Sequence, residues 1–312
     1  MMKKRFWIGL ALFVMLVETT AAVAPVAAPV VYFQMKDAVG DDTGPGTYQY
    51  PSNIAFKPYK GILDITEFKV WSERPDEIYF DTTFAANSNP WIAPEGFIHQ
   101  NLRIMVDAIP GQGVTELPSP GANVRFQPEN GWDFALRICG WGNSQLLVPQ
   151  NQQIGHHPLK TQILGDNRTI RAVLPVSVAG KPARNWHYYV FVGSFDGFGA
   201  DFFRKVAPQP GEWVIGGGRG QTLEPLVMDL LASNNASQNR QLRSLDPAQG
   251  RMALLTPVGN DLQGSGWSGW LLGLLLILGI GIAGFYVYRG LKRRGSFSWF
   301  WVKNRGKAAK GA

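Results

Sequence analysis

A single cysteine, Cys139, occurs in 312 residues, which excludes an intramolecular disulfide framework and any cysteine-rich zinc or iron–sulfur site. It reads as a small buried thiol, with an intermolecular role left open. Histidine is scarce too: His99, His156, His157 and His187 are the four in the chain. Adjacent His156 and His157 point to opposite sides of an extended chain, which argues against a two-histidine metal site. No GxSxG elbow, Walker loop, HExxH helix or GxGxxG fingerprint is present. The run Gly216-Gly-Gly-Arg-Gly220 lacks the Lys-Ser/Thr ending of a phosphate loop and reads as a tight turn after a strand around 213–215. The carboxylates are scattered and single out no pair for glycosidic chemistry. The chain is therefore expected not to be an enzyme.

Charged residues make up only 17% of the chain and apolar ones 45%, which excludes disorder as a description of the whole. The net charge of +7 is confined to the ends. Residues 289–312 hold eight basic and no acidic groups, whereas 25–288 hold 19 basic and 22 acidic ones. A nucleic-acid binder concentrates positive charge on its folded domain, so no nucleic-acid partner is expected.

Lys3, Lys4 and Arg5, the apolar stretch 6–17 and the small residues Thr20 to Ala24 have the three parts of a secretory signal, assigned to 1–24. Residues 267–288 form an uncharged apolar run of 22 residues. At about 1.5 Å per residue it spans roughly 33 Å, enough for a bilayer core of about 30 Å. Trp267 and Trp270 stand at one rim, Tyr286 and Tyr288 at the other, and Arg289, Lys292, Arg293 and Arg294 follow. Basic flanks stay in the cytoplasm. The expected topology is a single-pass cell-membrane protein, its N-terminal body outside and a basic cytoplasmic tail at 289–312. Aromatic and basic residues in that tail suit contact with membrane lipid. The GxxxG spacing of Gly269 and Gly273 leaves a homodimer open.

Between these ends the dominant period is two. Ile78, Phe80, Thr82 and Phe84 alternate with Tyr79, Asp81 and Thr83; Leu102, Ile104 and Val106 alternate with Arg103, Met105 and Asp107. Trp132, Phe134, Leu136 and Ile138 form another such face, and Tyr188, Val190 and Val192 a fourth. Each run is expected to give one apolar face to a core. Glycine (36) and proline (21) supply the turns between short strands. The fold class expected is all-β: an antiparallel β-sandwich over 32–246 with one short C-terminal helical segment within 223–243, a juxtamembrane linker at 247–266 and one transmembrane helix at 267–288.

Two acidic turns stand out. In the first, Asp37, Asp41 and Asp42 lie among Gly40, Gly44, Pro45 and Gly46. Clustered carboxylates repel unless neutralised, and calcium takes six to eight oxygen ligands from such loops, so Asp37, Asp41 and Asp42 are candidate Ca2+ ligands. The second, Asp196 to Asp201, reads as an ordinary Asp-Gly turn, with another oxygen-rich loop as the alternative. Indole faces stack on sugar rings while polar neighbours hold the hydroxyls. Trp91 (in Asn-Pro-Trp) and Trp141 (in Gly-Trp-Gly) fall in turns and are candidate carbohydrate-binding residues, with Tyr48 and Tyr50 beside the first acidic turn. Trp132 is in phase with its strand and is assigned to the core.

The stretch Gly40-Asp-Asp-Thr-Gly-Pro-Gly-Thr-Tyr-Gln-Tyr-Pro51, followed by Leu63-Asp64-Ile65, resembles the opening of the C-terminal module of glucodextranase, whose relatives also end some amylopullulanases. Asn89-Pro90-Trp91, Gly96-Phe97, Trp132-Asp133, Gly193-Ser194 with Asp196-Gly197, Arg204, Glu212-Trp213 with Gly216-Gly217, and Pro225 with Asp229 fit the same framework. The resemblance implies a β-sandwich related to family-9 carbohydrate-binding modules and DOMON-like domains, an accessory that holds an enzyme or a surface to polysaccharide. Some DOMON relatives bind haem, but the spacing of His99 and Met105 does not support an axial pair. The function expected is non-catalytic, extracytoplasmic binding of α-glucan or cell-envelope polysaccharide. The alternative is an envelope assembly protein whose sandwich binds another protein.

Overall fold

The computed structural model describes residues 28–262 except 118–120 and 152, together with Arg289. The signal at 1–24, the apolar run at 267–288 and nearly all of the basic tail lie outside the described residues. Among the described residues, no helix is long and apolar enough to cross a membrane.

The strands are β1 (Val30–Lys36), β2 (Ile65–Ser72), β3 (Glu77–Phe84), β4 (Gln100–Asp107), β5 (Val124–Phe126), β6 (Phe134–Ile138), β7 (Gln145–Gln150), β8 (Gln153–Pro158), β9 (Lys160–Ile163), β10 (Thr169–Pro175), β11 (His187–Ser194), β12 (Asp229–Leu230) and β13 (Ala253–Leu255). Two short helices join them, α1 (Val176–Ala179) and α2 (Asn235–Leu242). A five-stranded sheet runs β1-β2-β3-β10-β9 and a six-stranded one runs β12-β11-β4-β6-β7-β8. All pairings within these two sheets are antiparallel. Phe33, Phe68 and Phe80 of the first sheet share one buried cluster with Ile104, Leu136, Tyr188 and Val190 of the second. The period-two faces thus meet between two layers, as a sandwich requires.

The structure departs from the one-face expectation at the second sheet. Every residue of β4, β6 and β11 is buried. Met105, Ala135, Tyr189 and Phe191 point away from the sandwich into a second cluster with Val124, Phe126, Val227, Leu230, Leu242 and Leu255. Trp132 is core, as expected, but in this outer cluster rather than with Phe134. β6 begins only at Phe134, and Trp132 instead forms an isolated bridge with Val114. The alternation therefore does not extend back to Trp132.

The helical segment is also shorter than its spacing predicts. Pro225 cannot donate within a helix, and Met228 and Leu231 donate backbone N–H to Val192 and Val190 of β11. Residues 223–231 therefore form no helix, and α2 starts only where Asn234 caps it by accepting from Ser237 N–H. Residues 213–215 are not a strand either; Ile215 bridges Val206, and Gly216 bridges Gln49. A Cβ on Gly217 would lie 1.8 Å from the Thr47 carbonyl oxygen, so this glycine run serves close backbone approach, not phosphate binding.

The expected linker is mostly part of the domain. β13 pairs in parallel with β5, Val258 bridges Tyr188, and Asp261 lies 3.0 Å from His187, whose other ring nitrogen meets Asp107. Ala253 and Leu255 are buried in the outer cluster. A chain ending at 246 should thus lose about 2–4 kcal/mol relative to one ending at 262, since burying a Leu contributes roughly 1.5–3 kcal/mol and an Ala methyl about 0.8. Thermal unfolding of the two chains measures the difference, and equal midpoints would contradict the placement of β13.

Candidate functional site

β4, β6 and β11 bring three connections to one end of the six-stranded sheet, because Gln100 pairs with Ser194 and Leu102 with Ile138. The loop before β4 carries Trp91, the turn after β6 carries Trp141 and Asn143, and the turn after β11 carries Asp196 and Phe198. With Arg204 and Trp213 they line a cleft of about 690 Å³, within the range of small-ligand sites.

Trp91, Trp141 and Trp213 are each 41–50% exposed. Trp91 stands 6.0 Å from Trp213 and 5.4 Å from His99, with Phe56 4.8 Å behind that imidazole. Burial, assisted by the neighbouring Arg204 cation, lowers His99 to about 4, so a neutral ring backs the indole. Arg204 lies 5.1 Å over Phe56 and 5.8 Å over Trp213. Trp141 has a positive φ of 57°, held by Glu95, which accepts from the Trp141 and Gly142 N–H groups. Phe198 is wholly exposed at the tip of a turn that Asp196 caps by accepting from its N–H. The second acidic segment is thus the Asp-Gly turn expected of it. With the three indoles Phe198 forms one exposed apolar patch at the cleft, and a contiguous patch of this kind marks a contact surface.

The structure brings Trp91 and Trp141 together but not Tyr48 or Tyr50. Tyr48 is buried and donates to the Pro225 carbonyl. Tyr50 donates to the Asp42 carboxylate and accepts from Leu63 N–H. Both line a separate cleft beside Asp42. Trp213 and Phe198 escaped sequence reasoning, and the signal for Trp213 was a turn context, Gly-Glu-Trp, like those of the other two indoles.

The carboxylates regroup as well. Asp41, Asp64 and Asp229 are buried and offer ligand oxygens within 4.8 Å of one another. Asp64 accepts from Gly40 N–H, and Asp229 from the Ile65 and Leu230 N–H groups. Both oxygens of Asp41, one of Asp64 and one of Asp37 are buried with no hydrogen-bond partner. Burial and mutual repulsion raise Asp37 to about 8, Asp64 to about 7 and Asp41 to about 6, and push Asp229 well above its ordinary range. Asp42, expected with Asp37 and Asp41, turns instead to Tyr50 and the Gly61 N–H. Its backbone neighbour Asp41 faces inward while Asp42 faces the Tyr cleft, so adjacent residues diverge. Unpaired buried oxygens in this number fit a hard cation or bound protons.

Cys139 is buried, and burial pushes its thiol up to about 12, so it is an inert core residue here. His99 packs between Phe56 and Trp91 while Met105 sits in the outer cluster.

A mostly antiparallel β-protein with an aromatic-lined cleft has the form of a binding module. Residues 32–257 match the family of C-terminal, SLH-like binding modules of glucodextranase, and the chain belongs to that family. It is a family of non-catalytic modules. No curated protein matches the chain.

Proposed function

We propose that the chain is a membrane-anchored, extracytoplasmic module that binds carbohydrate at the cleft of Trp91, Trp141, Trp213 and Phe198. The observation that carries this reading is three half-exposed indoles and a free phenyl ring around one cleft of sugar size. Such rings present flat apolar faces to the C–H faces of pyranoses, and Asp196 and Asn143 stand beside them for hydroxyls. Family membership supports a binding role. The anchor and outward topology rest on the apolar and basic patterning of the two ends. Calcium at Asp41, Asp64 and Asp229, with Asp37 adjacent, would neutralise the carboxylates and tie the β12 edge of one sheet to the β1–β2 edge of the other.

The test is retention of the detergent-solubilised full chain on insoluble α-glucans and cell-envelope polysaccharide, with calcium and with chelator. Retention on at least one polysaccharide is expected. No retention on any, with one protein partner co-purifying instead, would replace this reading by envelope assembly. Protease added to intact cells should remove the body, and protection of it would overturn the topology.

A further inference from the structure

We propose that the aromatic cleft selects uncharged, hydroxyl-bearing sugar units and turns away sugars carrying carboxylate or phosphate. This rests on the carbohydrate reading and names the substrate class within it. The argument comes from the charged and amide side chains at the cleft.

Asn143 donates its amide hydrogens inward, to the Gly140 and Trp141 carbonyls at 3.0 and 3.3 Å, which leaves its Oδ1 as an acceptor. Asp196 presents a carboxylate, an acceptor only, with its side chain 26% exposed. Glu95 adds a second carboxylate behind Trp141, held by the Trp141 and Gly142 N–H groups at 3.1 and 2.6 Å.

Among the described residues lining the cleft, the one cation is Arg204. It is buried, and its N–H groups go to the Ser194 hydroxyl at 3.1 Å and to the Trp213 and Phe195 carbonyls at 2.8 and 2.7 Å. It also forms a long ion pair with Asp196, 3.4 Å, which offsets part of that carboxylate's charge and leaves it acceptor capacity. Ring faces of Phe56 and Trp213 cover the guanidinium plane. The cation is thereby committed to the scaffold.

A sugar hydroxyl donates to Asp196 and Asn143 while its ring stacks on an indole. A carboxylated or phosphorylated sugar brings a negative charge toward Asp196 and Glu95 and meets no uncommitted cation among the described residues lining the cleft. The Trp91, Trp141 and Trp213 indoles there offer only neutral N–H donors. Like charges facing each other across an interface oppose binding strongly.

The experiment compares the full chain in detergent on dextran and starch with the same polymers carboxymethylated. The neutral polymer should bind at least about tenfold more tightly, a gap that shrinks in 1 M salt, where the Debye length is about 3 Å. Asp196→Asn keeps the acceptor for Phe198 N–H and should narrow the ratio of the two affinities to roughly threefold or less. Equal or tighter binding of the carboxymethylated polymer by the unsubstituted chain overturns the selectivity, as does a ratio unmoved by both salt and Asp196→Asn. Binding of neither form removes the carbohydrate reading itself, and the selectivity falls with it.

Discussion

Calcium added to the metal-free chain at pH 8 is expected to raise its melting temperature by roughly 5–10 °C, and the gain should vanish near pH 4. Ligand at a hundred times its dissociation constant stabilises by about 2.7 kcal/mol. For a domain of this size each kcal/mol moves the midpoint by roughly 2–4 °C. The pH dependence follows from the carboxylates. Without a cation, folding raises Asp41 to about 6, Asp64 to about 7 and Asp37 to about 8, all above the ordinary 3.8. The folded state then holds protons more tightly than the unfolded one. That contribution is present in full below about pH 4 and is lost as pH rises through 6 to 8, so metal-free stability should fall across that window. A bound cation reverses the sign, because it favours the ionised carboxylates and is displaced by protons at low pH. Melting curves from pH 4 to 8, with chelator and with calcium, should slope in opposite directions. Asp41→Asn with Asp64→Asn should remove the calcium response and reduce the slope, leaving the part that the buried Asp37 and Asp229 contribute. A flat metal-free profile together with no calcium shift would reject the site.

Loss of either cleft indole should abolish most polysaccharide binding without harming the fold. Trp91→Ala and Trp141→Ala each remove a ring that is roughly half exposed, so the stability cost is small. An aromatic anchor at the centre of a site contributes about 2 kcal/mol or more, roughly 30-fold in affinity. Trp132→Ala is the opposite case. Its ring is wholly buried in the outer cluster, with Nε1 donating to the Glu116 carbonyl. That change should cost about 3–5 kcal/mol of stability, while any chain that still folds keeps its glycan affinity. Paired melting and affinity measurements on the three variants separate the two kinds of tryptophan. Unchanged retention for both Trp91→Ala and Trp141→Ala would move the binding site away from this cleft.

The strands were legible because alternation is a local property: β3, β4, β6 and β11 lie within a few residues of the runs in which apolar residues alternate. Trp91 and Trp141 were legible for a related reason, since a large indole amid Asn, Pro and Gly has no strand face on which to bury itself. The same local logic misplaced the helix. Leu223, Val227, Leu230 and Leu231 fit a helical period, yet the backbone over 228–231 is drawn into pairing with β11, a partner far away in the chain. Tertiary pairing overrides spacing there.

By itself, then, the sequence determined the class of the body, its antiparallel strands, two of the indoles that face solvent and the acidic character of the first turn. It also carried the family framework from residue 32 onward. Only the tertiary structure decided which groups meet. Asp64 and Asp229 reach Asp41 because β2 and β12 place them there, and Asp42 leaves because its neighbour's side chain points the other way. Trp213 joins Trp91 through ring packing 6.0 Å apart, and the segment 247–262 becomes core through β13. Periodicity records which face of its own element a side chain occupies. Convergence of side chains from distant elements depends on strand order and register, and those are settled only when the sheets pack.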